Sequence, residues 1–176
     1  MNATTDERIG VIFARRSVRV YAPGEIGQDL VTRLLEAAMA APSAMTKDPW
    51  RFVVVRRRET LERFAACLPG GKMLPAASLA IVVCGDLDVT FERHIGYLVQ
   101  DCSAATENLL ICAQALGLGA CWVGVYPAES GMKGVREAVA LPSNLVPLAV
   151  IALGYPGEHL EPRTRYNPEY VRAEKW

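Results

Sequence analysis

The longest periodic segment of the sequence covers residues 92 to 117. Apolar residues recur there at alternating spacings of four and three, the period of one face of an α-helix. Ile95, Val99, Leu110 and Ala113 widen that face well beyond a single stripe. A helix that is apolar on most sides must be buried at the centre of a domain or packed against another subunit. The segment therefore predicts a long central helix, around which the rest of the fold has to be built.

Four shorter segments predict the strands of a sheet. They are apolar or rich in β-branched residues, and they cover residues 51–57, 78–86, 119–125 and 147–154. The second is almost continuously apolar, which is typical of a strand buried on both faces. Further helices are predicted over residues 28–40, 59–68 and 131–140, and Thr4, Thr5 or Asp6 would cap a first helix. This order of elements predicts a sheet of at least four strands with helices on both faces.

The length of 176 residues suits one domain, so we assign residues 1–176 to a single unit. After Gly154 the sequence becomes polar, contains three prolines and loses any clear period. Residues 155–176 are therefore predicted to form an extended arm that lies over a surface.

Charge and cysteine content argue against several classes of protein. Lys plus Arg equals Asp plus Glu, at 19 each, whereas a nucleic-acid-binding protein usually carries a basic surplus. The N-terminal residues have no apolar signal core, and no apolar run approaches the roughly 20 residues that span a membrane. The five cysteines are odd in number and lack a Cys-x-x-Cys pair, which is typical of reduced thiols. We predict a cytoplasmic protein with no nucleic-acid or membrane partner.

A cluster of arginines follows the first predicted helix. The segment FARRSVRVY places Arg15, Arg16 and Arg19 around Ser17. One interpretation is a solvated, charged helix end. The other is a site for a small anion, because guanidinium groups bind phosphate with paired hydrogen bonds and a hydroxyl adds a donor. Residues 17–21 are predicted to be extended, which would direct Ser17 and Arg19 to the same side.

Four other segments are either binding segments or ordinary surface. The loop 41–50 contains two prolines and is stiff, and such loops often position ligands. Lys72 follows a glycine pair, residues 122–127 end a buried strand, and residues 162–165 carry two arginines in the arm. The sequence contains no metal-ligand cluster, P-loop, nucleophile elbow or G-x-G-x-x-G dinucleotide motif. Chemistry supplied by a cofactor is therefore favoured.

Taken in chain order, these segments resemble the FMN-dependent nitroreductase family in its compact form. The similarity covers nearly the whole chain and rests on RRSVR, APSAMTKDPWRFVVV, GKML, QDCSAATENLLICAQALGLGACWVGVYP and VPLAVIALGYP followed by PRTR. It implies an α+β fold with a central mixed or antiparallel sheet of four to five strands flanked by helices. It also implies a homodimer, with the long helix at the interface, the arm 155–176 packed on the partner subunit, and two FMN molecules between the subunits.

The resemblance implies which residues contact FMN. Those assigned to the phosphate and the ribityl chain are Arg15, Arg16, Ser17, Arg19, Arg163 and Arg165. Those assigned to the ring system are Pro42, Ser43, Ala44 and Met45 from the partner subunit, Lys72 near the pyrimidine edge, and Trp122, Val123, Gly124 and Val125 through their backbone. No side chain is assigned as a catalytic acid or base, and none as a metal ligand.

Two features depart from the family's usual pattern. Thr46 and Asp48 stand where the loop commonly carries Asn and Gln, so direct amide contacts to the flavin from these positions are not expected. The chain also leaves little room for the inserted helices of longer relatives, which implies an open pocket and a broad substrate range.

The activity implied by the resemblance is electron transfer from NADH or NADPH through FMN to a nitroaromatic, quinone or similar small-molecule acceptor, by a ping-pong mechanism. One alternative is an FMN-binding dehydrogenase, or another flavin enzyme on the same fold, that does not reduce nitro groups physiologically. The other is a non-enzymatic dimeric interaction protein that uses its arginines for an acidic partner. A flavin spectrum in the purified protein would separate the enzymes from the last of these.

Overall fold

The structure is a computed structural model that describes residues 7–176. Within these residues, five strands and five α-helices alternate along the chain. The strands are β1 (Tyr21–Ala22), β2 (Trp50–Val55), β3 (Leu79–Asp86), β4 (Gly119–Gly124) and β5 (Leu145–Pro156). The helices are α1 (Glu7–Ala14), α2 (Gln28–Met39), α3 (Arg58–Cys67), α4 (Ile95–Ala115) and α5 (Glu129–Val139).

The strands form one antiparallel sheet organised around β5. β3 pairs with β5 from Leu79 opposite Leu153 to Asp86 opposite Leu145, and β2 pairs with the other side of β3. β4 also pairs with β5, and β1 pairs with its last two residues. The predicted α+β fold is confirmed, and the sheet is antiparallel throughout the described residues.

The sheet separates two apolar cores. Leu79, Ile81 and Val83 of β3 face the core that is closed by α2 and α4, whereas the alternate residues Ala80 and Val82 face the core closed by α3 and α5. This alternation follows from the pleat of a strand, whose successive side chains point to opposite faces. Because both faces are covered, β3 is buried along its whole length, as its continuous apolar sequence predicts.

The central helix α4 is shorter than its predicted range of 92 to 117 but lies where expected. Eight of its 21 residues are buried, against the sheet on one side and α2 on another. Val99 and Ile111 are half-buried, so a single chain already covers much of the helix surface. The chain leaves the helix at Gly117, whose φ of +72° lies in the left-handed region that glycine adopts without strain.

The other predicted elements are confirmed to within a few residues, except in the segment that follows α1. Within residues 17–21 the structure has an isolated bridge from Ser17 to Ala120, and the strand β1 begins only at Tyr21. No local pattern predicts β1 as a strand, because a strand of two residues is defined by its tertiary partner. The predicted cap at Thr4, Thr5 or Asp6 lies outside the described residues.

The arm after Pro156 is almost entirely exposed and contains one short helical turn, Pro168–Tyr170. Tyr170 and Trp176 are 75% and 89% exposed, although both are large and apolar. The arm is tied to its own chain near its middle, where the Arg163 N–H donates to the Phe13 carbonyl oxygen at 3.2 Å.

All five cysteines lie within the described residues and are unpaired. Burial raises the pKa of Cys84 and Cys102 to about 12, so both are neutral thiols at physiological pH. Across residues 7–176, no helix is both long and apolar enough to cross a membrane.

Candidate functional site

A cavity of about 510 Å³ collects five arginines from opposite ends of the chain. We call it the anion cavity. Its lining contains all six residues that the sequence analysis assigned to a phosphate, namely Arg15, Arg16, Ser17, Arg19, Arg163 and Arg165. Glu158 is the single carboxylate among the nine lining residues. The arrangement concentrates hydrogen-bond donors and positive charge, which is the chemistry of a site for a multiply charged anion.

The first arginines reach the cavity because the chain leaves α1 and runs along β4. The Val18 N–H donates to the Ala120 carbonyl oxygen at 3.0 Å, and the Val18 side chain is buried. Gly119 permits this approach, since a Cβ at that position would lie 2.7 Å from Val18 Cγ1. With Val18 pointing inward, Ser17 and Arg19 both line the cavity, in agreement with the predicted alternation.

The last two arginines are brought by the arm. The Arg163 backbone bond to Phe13 sets the arm against the end of α1, and the Arg16 guanidinium donates to the Glu161 carbonyl oxygen. Arg163 and Arg165 of the arm therefore complete the lining of the cavity. The sequence could indicate this convergence only by resemblance, because spacing along the chain says nothing about an approach across the fold.

The guanidinium groups are close enough to repel one another. The charge of Arg165 lowers the pKa of Arg163, with smaller contributions from burial and from Arg16. Arg15 is partly neutralised outside this group, because its Nε lies 3.1 Å from Glu107 Oε1 on α4. A bound anion would relieve the remaining repulsion, which favours the anion-site interpretation over a merely solvated helix end.

Glu158 is a functional candidate that the sequence analysis missed. Its Oε1 accepts the backbone N–H groups of Arg19 at 2.7 Å and Val20 at 3.1 Å. These bonds, followed by the charge of Arg19, lower the pKa of the Glu158 carboxyl. The carboxylate therefore fixes the backbone of Arg19 from within the cavity. Nothing in the local sequence distinguished it from the other charged residues of the arm.

A second, shallower cavity of about 410 Å³ lies next to the first and shares Arg19 with it. It is lined by Arg19, Lys72, Met73 and the residues Pro69 and Gly70. Lys72 is exposed there, so its ammonium group can reach a ligand that extends from the anion cavity. The structure thus places the predicted lysine beside the predicted arginines.

At the end of β4, backbone groups rather than the valine side chains are available to contact a ligand. Val123 and Val125 are 3% and 1% exposed and their side chains belong to the core between the sheet and α3 and α5. Trp122 is 37% exposed, and the position of a Cβ on Gly124 would meet nothing within 4 Å. The Ala120 carbonyl oxygen accepts the Val18 N–H on the side of β4 away from β5, whereas the Val125 N–H donates to Leu148 of β5. Because the backbone groups of successive residues in a strand point to opposite sides, the N–H groups of Trp122 and Gly124 point away from β5.

One loop carries Pro42, Ser43, Ala44 and Met45, and none of these residues lines either of the two cavities. The loop is closed on itself: Ser43 Oγ donates to Asp48 Oδ1 at 2.5 Å and accepts the Asp48 N–H at 3.0 Å. Asp48, one of the two residues that stand where the loop commonly carries an amide, is therefore engaged inside the loop. Within one chain the structure does not bring this loop to the other predicted site residues.

A larger cavity of about 620 Å³ lies between β2 and the end of α5. None of the predicted site residues lines it, and its charged residues have mixed sign, with Arg56 and Arg57 near Glu137. We place the candidate site at the anion cavity, because of these three cavities it is the one in which five guanidinium groups converge on one space.

The chain matches the Nitroreductase family over residues 12–68 and 65–155. A protein of Archaeoglobus fulgidus, provisionally named an NADH dehydrogenase/NAD(P)H nitroreductase, is 45% identical over 174 residues, covering 97% of this chain and 99% of that protein.

Solved structures with similar folds also carry nitroreductase names. One of a Bacteroides thetaiotaomicron protein with the same provisional name is 40% identical, has a TM-score of 0.92 and covers 98% of this chain and 100% of its own. Another, of a provisionally named nitroreductase from Desulfovibrio desulfuricans in complex with FMN, is 29% identical, has a TM-score of 0.84 and covers 98% of this chain and 99% of its own.

Proposed function

This chain belongs to the nitroreductase family, and on that premise we propose that it is an FMN-dependent oxidoreductase that uses NADH or NADPH as electron donor. The observation that carries the proposal is the convergence of five guanidinium groups and the Ser17 hydroxyl on one cavity. Relatives with FMN in their names or structures support the choice of cofactor.

The residues present fit the phosphate end of FMN. A phosphate monoester carries about −1.5 to −2 charges near neutral pH and offers three acceptor oxygens. Arginines bind such oxygens in bidentate fashion, and Ser17 adds a hydroxyl donor. A single phosphate can therefore use several arginines although the formal net charge of the chain is zero. Arg15, Arg16, Ser17, Arg19, Arg163 and Arg165 would hold this end of the cofactor.

The ring would lie toward the second cavity and the end of β4. Lys72 would meet its pyrimidine edge, and the backbone of the 122–125 segment would meet the ring. The loop with Pro42, Ser43, Ala44 and Met45 would come from the partner subunit, which accounts for its absence from the lining of both cavities within one chain. The assembly we propose is a homodimer in which residues 155–176 of one chain pack on the other, and the exposed aromatic residues of the arm support it.

When bound, FMN supplies the redox chemistry. NAD(P)H and the electron acceptor, a nitroaromatic, quinone or similar molecule, would bind in turn at one site, which is a ping-pong mechanism. The protein's own residues hold and orient the cofactor. Arginines fix the phosphate, Lys72 places positive charge at the ring edge, and the shallow second cavity leaves the ring open to small planar acceptors. No side chain is required as a general acid or base. The unpaired cysteines are consistent with the cytoplasmic location that we also propose.

Steady-state assays test the activity directly. The FMN-reconstituted protein should oxidise NADH or NADPH rapidly when a quinone or nitroaromatic is added, with the parallel double-reciprocal lines of a ping-pong scheme. A flavin-containing protein that oxidises NAD(P)H no faster with any of these acceptors would instead be a different flavin enzyme on the same fold.

A further inference from the structure

We propose that Asp101 of α4 is a positioning residue, which holds the loop 43–48 in the shape in which it meets the flavin ring of the partner subunit. This inference rests on the proposed function, because that function gives the loop a ring to meet. The loop's conformation, its attachment to α4 and the buried carboxylate are separate observations that lead to it.

Asp101 is a buried charge in an apolar helix. Its residue is 5% exposed, and it is the one charged residue between Ile95 and Thr106. Its Oδ1 accepts the Ala44 N–H at 3.0 Å, whereas its buried Oδ2 has no hydrogen-bond partner among the described residues. A buried carboxylate with an unpaired oxygen lowers stability relative to an apolar residue. Stability alone is therefore a poor explanation for an aspartate at this position.

The loop it contacts has an unfavourable backbone. Met45, Thr46 and Asp48 have φ angles of +52°, +52° and +48°, in the left-handed region that residues with a Cβ rarely adopt. Such conformations persist when the surroundings hold them, and they concentrate at functional sites. Three of them within four residues require a firm attachment to the core.

The attachments at the two ends of the loop are different. At its C-terminal end, the Pro49 carbonyl oxygen accepts the Asp86 N–H at 2.7 Å, which fixes the chain as it enters β2. The bond between Ser43 and Asp48 closes the loop but does not fix it to the core. The N-terminal half of the loop is joined to α4 through the bond from Ala44 to Asp101.

The outer surface of the loop carries an exposed apolar side chain that the partner's flavin ring could contact. Met45 is 71% exposed, although it is apolar and is held in a constrained backbone conformation. An aspartate anchored in the central helix thus sets the position of an exposed apolar side chain. That arrangement suits a surface that must be preformed before a ring packs against it.

The hydrogen bond can be removed from either end. Asp101→Leu removes the acceptor and the buried charge while keeping the same branched arrangement of side-chain heavy atoms, and Asp101→Asn keeps an acceptor oxygen. Ala44→Pro removes the donor, and the extended backbone of Ser43, with φ −135° and ψ 154°, is compatible with a following proline. Thr106→Val is the matched control, because Thr106 is buried on the same helix but bonds the Cys102 carbonyl oxygen.

Amide hydrogen exchange of Thr46 and Lys47, whose N–H groups bond within the loop, is the first measurement. Asp101→Leu and Ala44→Pro should each accelerate their exchange at least about tenfold, and the double variant should be no faster than either single one. Asp101→Asn and Thr106→Val should exchange as the parent does. Unchanged exchange in Asp101→Leu, or equal acceleration in Asp101→Asn, would overturn the proposal.

Flavin affinity is the second measurement, with FMN and riboflavin as the probes. Both contain the ring, so Asp101→Leu should weaken both by the same factor, about tenfold, while Asp101→Asn retains parental affinity. A loss confined to FMN would show that Asp101 acts on the phosphate site and would contradict the proposal. If the parent binds neither flavin, the proposed function fails and with it the role toward the ring, whereas the exchange experiment still decides whether Asp101 anchors the loop.

Discussion

Arg19 has a special place among the cavity arginines because it lines both cavities. Its backbone N–H is held by Glu158, and its guanidinium donates to the Ser17 carbonyl oxygen at 3.2 Å. Arg15, in contrast, is also paired with Glu107, so its replacement would disturb the contact between α1 and α4. Arg19 is therefore the cleaner position at which to test a phosphate contact.

Arg19→Ala should weaken FMN binding about 10- to 150-fold, the effect of losing a hydrogen bond to a charged group. Riboflavin lacks the phosphate, so it should bind the parent poorly and be almost unaffected by the substitution. Isothermal titration of the apoprotein with each flavin measures both affinities. Arg33→Ala, which changes an exposed arginine of α2 outside the site, is the control and should alter neither. Equal losses for FMN and riboflavin would show that Arg19 supports the fold or the ring instead.

Lys72→Ala should lower the midpoint potential of bound FMN. Two-electron reduction places negative charge at the pyrimidine edge, so a nearby cation stabilises the reduced flavin more than the oxidised one. The expected decrease is about 20–65 mV, nearer the lower figure because an exposed ammonium group is screened by water. A redox titration measures it, with Lys133→Ala on the exposed side of α5 as the control. A midpoint equal to the parent's would remove Lys72 from the site.

Individual site residues could be predicted from the sequence where residues of similar chemistry are close neighbours along the chain. Three arginines around one serine suggested an anion site beside the alternative of a solvated helix end, and the structure brings all four residues to one cavity. Glu158 and Asp101 could not be recognised in the same way, because each acts through backbone N–H groups that are distant in sequence. A charge inside an otherwise apolar helix face was the available signal for Asp101.

The elements β3 and α4 are packed too closely for a side chain at Gly85. A Cβ there would lie 2.3 Å from Leu98 Cδ2 and Cγ, and Leu98 is fully buried. Leu98 lies one helical turn before Asp101, so this contact also sets the height of the helix against the sheet. Gly85 is therefore a position at which strand and helix packing can be tested together.

Gly85→Ala should lower the free energy of unfolding by about 1–3 kcal/mol, the usual effect of overpacking a core. Gly10→Ala is the matched control, since a Cβ there meets nothing within 4 Å, and alanine favours a helix over glycine. Urea unfolding of both variants measures the difference. A Gly85→Ala protein as stable as the parent would mean that α4 can shift away from β3 without loss.

The sequence predicted the elements well because their apolar patterns are strong. The continuous apolar run of β3 and the broad apolar face of α4 both reflect burial on several sides, and the structure confirms both. The pairing of the strands and their relative directions were harder to predict from the sequence. The antiparallel order around β5 and the short strand β1 depend on contacts between distant segments, which leave no local pattern.

For the whole molecule, we predict a homodimer. The arm presents Tyr166, Tyr170, Val171 and Trp176 largely exposed, which is unusual unless another surface covers them. Obligate interfaces typically bury more than about 2,000 Å² in total. Sedimentation at low micromolar concentration should therefore show a dimer, and a monomer that retains FMN would contradict the prediction.

A truncated chain separates dimerisation from phosphate binding. Ending the chain at Tyr166 keeps Arg163 and Arg165 but removes Tyr170, Val171 and Trp176. The truncated protein should dissociate more readily than the full chain in the same experiment. Unaltered association would show that the last ten residues contribute nothing to the interface.

The proposed function requires that the anion cavity hold the phosphate of one FMN per chain. The most direct test is to release the chromophore from the purified, FMN-reconstituted protein by heat, identify it by chromatography, and relate its amount to the protein concentration. We predict recovery of FMN at one molecule per chain. Recovery of no flavin after reconstitution, or of FAD from the protein as isolated, would contradict it.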